Sequence, residues 1–130
     1  MKSGTTLAVL FVIGYVGFEA YAVHKVSYRT EPTYLHNMLI QAKTVVQSCA
    51  ADTNRDVEGF ERSLARVTQK FKLEIAEQSP SRDSSEIDQV IASKAAASQS
   101  AAEDEVARLG CKHIEIRNHM KRFDIYASKG

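Results

Sequence analysis

Helix breakers are scarce in this chain of 130 residues: it has two prolines and six glycines. Their scarcity leaves long stretches uninterrupted, and the abundance of Ala, Glu, Lys, Gln and Arg in those stretches points to helix. Charge of one sign is also lacking. The 17 basic and 16 acidic residues leave a net charge of +1, a balance that gives no electrostatic case for binding nucleic acid, which wants a basic face. Motifs that carry chemistry are missing too. There is no glycine-rich phosphate loop, no GxSxG, no HExxH and no EF-hand loop. The two cysteines do not form a CxxC, so the spacing does not support a thioredoxin-type redox site. No two of the four histidines stand four residues apart, the spacing of a metal pair on one helix.

One long apolar run is present, and it lies at the start. Lys2 precedes Leu7 to Phe18, about a dozen residues with no charge, which matches the n- and h-regions of a secretory signal. Ala20 and Ala22 place small residues where signal peptidase reads them, predicting cleavage before Val23. The alternative is an uncleaved anchor in which residues 5–23 span the membrane. A span needs roughly 20 apolar residues, and here Glu19 interrupts the run while His24 and Lys25 close it. Either way, everything from Val23 onward is expected on the far side of a membrane. Segment 1–22 carries one lysine and one glutamate, so the remainder keeps the charge of +1. Residues 23–30 read as an exposed lead, and 31–130 as one helical domain of ordinary size.

Within that domain Pro32 suits the first turn of a helix. Leu35, Met38, Leu39, Ala42, Val45, Val46 and Cys49 then form one continuous stripe at helical spacing. Residues 51–54 (ADTN) favour caps over helix interiors and break it, with Thr53 and Asp56 as a shortened capping box. Val57, Phe60, Leu64, Val67, Phe71 and Ile75 make a second, heptad-like stripe, with Gly59 off it. Gln78 to Ser85 is a loop around Pro80. Ser85 with Asp88 is expected to open a third helix, which continues through Ile87, Val90, Ile91 and an Ala/Ser tract (95–102) to Leu109 and ends at Gly110. The tract is either a tight packing seam or an exposed face held by the helix propensity of alanine.

Three segments compete with this helical reading. Phe71, Leu73 and Ile75 alternate like a strand, as do 113–117 (HIEIR) and 123–126 (FDIY), so a short C-terminal meander in an α+β fold is the alternative. Against it, no two-residue turn joins the last two segments, and Ile116, Met120, Phe123 and Ala127 make a helical stripe. The expected fold is therefore all-α: a signal or anchor helix, then three or four helices packed antiparallel.

Cys49 and Cys111 are the only cysteines. In an oxidising compartment an even pair argues for one disulfide, here joining the end of the first helix to the start of the last segment. Glu115 and His119 stand four apart and could seat a metal on one helical face, but such a pair is far more often an acid–imidazole contact. Glu103-Asp104-Glu105 reads as a solvated charge run. The aromatic side chains Phe60, Phe71, Phe123 and Tyr126 lie on the apolar stripes and read as core. No catalytic residue, cofactor or metal ligand is assigned. The combination of a membrane-targeting start, far-side helices with heptad seams and two cysteines resembles phage inner-membrane spanins in architecture, with no residue role carried over.

The sequence thus points to a non-catalytic, periplasmic or secreted helical protein that binds a protein partner. The alternative is a membrane-anchored accessory subunit or coiled-coil spacer, held in the inner membrane by one N-terminal span.

Overall fold

The computed structural model describes residues 31–49 and 54–130. The export segment, the cleavage residues Ala20, Ala22 and Val23, and the lead 23–30 lie outside the described residues, as does Thr53. The chain divides into a unit ending at Glu31 and a second unit, Pro32–Gly130, which is the bundle.

Four α-helices make up the bundle: α1 (Pro32–Cys49), α2 (Val57–Gln78), α3 (Ser84–Leu109) and α4 (Ile114–Ser128). Among the described residues there is no strand, so the all-α expectation holds and the meander does not form. Pro32 is the first helical residue, where its missing N–H costs nothing. Asp56 rather than Thr53 caps α2, its carboxylate accepting from the Gly59 N–H at 2.9 Å. In the same way α3 starts one residue ahead of Ser85. Asp83 is its cap, accepting from the Glu86 N–H at 2.8 Å. Gly110 ends α3 with φ +84°, a left-handed conformation that glycine adopts without strain. His113 caps α4 through Nδ1, which accepts from the Glu115 N–H at 3.2 Å.

The first helix is the centre of the packing, in contact with all three others. A helix with three neighbours buries more than one stripe. Accordingly His36 and Thr44 are buried along with Leu39, Ala42, Val45 and Val46. Thr44 satisfies its hydroxyl on the Ile40 carbonyl one turn back. The main core joins α1, α2 and α4 through Leu39, Ala42, Val46, Phe60, Leu64, Val67, Phe123 and Ala127. Phe60 and Phe123 stack within it, ring centroids 4.1 Å apart and planes 13° apart. Phe71 and Ile75 meet Ile87 and Ile91 beside the α2–α3 turn.

Two residues depart from the stripes. Val57 is 54% exposed, because it is the first residue of α2 and stands beyond the core. Gly59, read as off the stripe, is buried. A Cβ there would collide with the backbone carbonyl of Ala127, so glycine permits the close approach of α2 and α4. The Ala/Ser tract divides between its two readings. Ser98 and Ala102 are buried, with Ser98 Oγ donating to Asn37 Oδ1 of α1 at 3.2 Å, while Ala96, Ala97, Ser100 and Ala101 are exposed.

Candidate functional site: the disulfide end of the bundle

Cys49 is the last residue of α1, and Cys111 follows the glycine that terminates α3. Because α1 and α3 both run toward this end, their C-termini converge. The Sγ atoms are bonded at 2.08 Å, and the Cα atoms lie 5.5 Å apart, within the range a disulfide spans. Beneath the bridge sits a separate cluster. Val45, Ala102 and Ile116 are buried there, with Cys49, Val106, Leu109 and Met120 packed against them. The expected cysteine pair is therefore brought together, and it joins helices that already share apolar contact.

His119 seals the same region between α3 and α4. It is 6% exposed, with Nε2 3.4 Å from Oε1 of Glu105 and Nδ1 buried without a partner. Glu115, the other half of the suggested metal pair, is exposed while His119 turns inward. The pair does not assemble, and among the described residues no group of three or more His, Cys, Asp or Glu is disposed to hold a metal ion.

The second buried histidine, His36, lies at the opposite end of α1. Its ring centroid is 5.2 Å from that of Phe71, at a tilt of 52°. It is 2% exposed, and burial lowers its pKa from 6.5, a shift partly opposed by a hydrogen bond with the Asn37 side chain. A neutral imidazole is what such a site holds, and its Nδ1 has no partner. Both histidines are internal, a position not assigned to them from the sequence. The signal was there: His119 is three after Ile116 and four before Phe123, and His36 is three before Leu39, so each sits on a core stripe.

Polar side chains also join α2 to α4. Ser63, 2% exposed, donates to the Tyr126 carbonyl at 2.6 Å. Arg66 donates to the Lys129 carbonyl at 2.7 Å and to Ser63 Oγ. Arg55 donates through Nη1 to both carboxylate oxygens of Asp124, a charge-assisted contact. A shallow cleft lies over this last pair, lined by Asn54, Asp56, Ala127 and Ser128, and the Asp56 carboxylate in its wall is occupied as the α2 cap. These contacts tie the end of α4 to the start of α2.

No protein family matches this chain, and no curated protein or solved structure matches it either. Among the described residues no helix is long and apolar enough to cross a membrane. What the geometry establishes is a small helical bundle with a cysteine pair that fits an oxidising compartment.

Proposed function

We propose that this chain is an exported helical module that binds a protein partner and has no catalytic role of its own, working in the periplasm or outside the cell. The observation that carries the reading is the Cys49–Cys111 bridge, because disulfides persist where thiols oxidise and are rare in the cytosol. The apolar run from Leu7 to Phe18 supports it independently, since it supplies a route to such a compartment. The non-catalytic part rests on the buried hydroxyls, where Ser63 and Ser98 join one helix to another and Thr44 bonds within its own, rather than converging on a pocket.

The test is fractionation of the native cell, with protease added from outside the inner membrane and the intact mass of the recovered chain. The expected result is a protease-accessible chain that begins at Val23. A chain recovered with Met1 in place, still accessible from the far side, would favour the anchored subunit over the released module. Residence in the cytosol would overturn both.

A further inference from the structure

Helix α4 carries isoleucine on the wrong side. Its buried residues Ile116, His119, Phe123 and Ala127 define the face toward the core. Ile114 and Ile125 are eleven residues apart, three helical turns, so they fall on one line. At 100° per residue that line lies opposite the buried face, and the two side chains are 62% and 47% exposed. Asn118 and Lys121 sit between them on the same line, and Arg117 flanks it. The two isoleucines stand about 16 Å apart along the helix, and the residues between and beside them are polar or basic, so the line is a mixed apolar and basic one.

Charge indicates what covers it. From Cys111 to Gly130 the chain has five basic side chains (Lys112, Arg117, Lys121, Arg122, Lys129) against two acidic ones, Glu115 and Asp124. Asp124 is already engaged by Arg55. Helix α3 has the opposite balance, with Glu86, Asp88, Glu103, Asp104 and Glu105 against Lys94 and Arg108. Of its acids, Glu105 faces His119 and Asp88 pairs with Lys72, while Glu103, which accepts from Gln99 Nε2 at 3.1 Å, and Asp104 are exposed near the end of the helix. A chain that is nearly neutral overall is thus polarised between two adjacent helices.

We propose that the Ile114–Ile125 ridge of α4 docks on the acidic outer face of α3 in a second copy of this chain. Arg117 and Lys121 meet Glu103 and Asp104 across the contact, and the isoleucines lose their exposure to water. A two-fold axis forms the contact twice and closes the assembly at two copies. Opposite charge steers the encounter and fixes the register, and the apolar side chains supply the affinity. The inference rests on the reading of the chain as a non-catalytic interaction module, and it makes one partner the chain itself.

The experiment is light-scattering mass across a concentration series, on the full chain as its host processes it. The wild type is expected to rise from the single-chain mass to twice that value, and to fall back as salt is raised. Ile114→Ser with Ile125→Ser is expected to stay at the single-chain mass with an unchanged helical spectrum, since both sites are exposed. Arg117→Glu with Lys121→Glu should also remain single, as should Glu103→Lys with Asp104→Lys. Mixing those two charge variants is expected to restore the doubled mass, because one copy then offers the reversed ridge and the other the reversed face. A wild type that stays single at every concentration overturns the proposal, whether or not vesicles of anionic phospholipid then capture it through the isoleucines. A doubled mass that survives the isoleucine substitutions overturns it as well. Either failure leaves the compartment reading intact, because protease accessibility is read independently of mass.

Discussion

The two buried histidines and one glycine decide more than their number suggests. His36 is neutral in the folded bundle, and its pKa there lies below the 6.5 of an exposed imidazole. As pH falls, the unfolded chain therefore takes up this proton first. The stability tied to neutral His36 is complete above about 6.5 and is lost as pH drops through the folded-state value. Chemical denaturation at a series of pH values should show stability declining on that acid side. His36→Leu should flatten the decline, because it removes the titrating group and leaves an apolar side chain against Phe71. Gly59 presents the opposite of its usual behaviour. In an exposed helix, replacing glycine by alanine gains up to about 1 kcal/mol. Here the added methyl meets the Ala127 carbonyl, so Gly59→Ala is expected to destabilise by about 1–3 kcal/mol. A shift of the urea midpoint to lower concentration is the readout. The inward position of His36 was legible from the Leu39 stripe, but the role of Gly59 was not. A stripe identifies which residues are inward on one helix, but not which backbone a second helix brings within reach.

At the scale of the helices, the sequence was most legible where periodicity and caps agreed. The α1 stripe, the loop at Pro80 and the stop at Gly110 all stand where their residues place them. The competing strand signals have a single physical origin. In each, an exposed hydrophobic residue lies two positions from a core one: Leu73 between Phe71 and Ile75, Ile114 before Ile116, and Ile125 after Phe123. Two of these exposed residues form the α4 ridge, so the features that imitated strands are the ones left uncovered by the bundle. The Ala/Ser tract could not be assigned from sequence because helix propensity is the same on both faces of α3, and only the position of α1 separates them. Size then discriminates the faces. Ala102→Leu, inserted where exposure is 0%, is expected to cost about 1–3 kcal/mol through overpacking. Ala96→Leu on the outer face should change stability by no more than about 0.5 kcal/mol. Thermal unfolding of the two variants side by side makes the comparison.

For the molecule as a whole, two of the three small clusters are built on α1 and the third joins α2 to α3, while the covalent link closes the end where α1 and α3 meet. The surface ion pairs Lys43–Glu61 and Lys72–Asp88 add little, since exposed pairs contribute about 0–1 kcal/mol. The bridge spans 62 residues of sequence, and constraining a loop of that length in the unfolded chain is worth roughly 4 kcal/mol on the entropic account. Such a gain is a large share of the roughly 5–15 kcal/mol available to an ordinary domain. Cys49→Ser with Cys111→Ser, or treatment with a reductant, should therefore lower the denaturation midpoint markedly while the helical spectrum at low temperature changes little. The oxidised state in the native cell bears most directly on the account. Protein taken from its own cell into acid, alkylated before and after reduction, should incorporate no alkyl group until reductant is added and then two. Two groups taken up without reduction would contradict the exported, disulfide-clasped bundle.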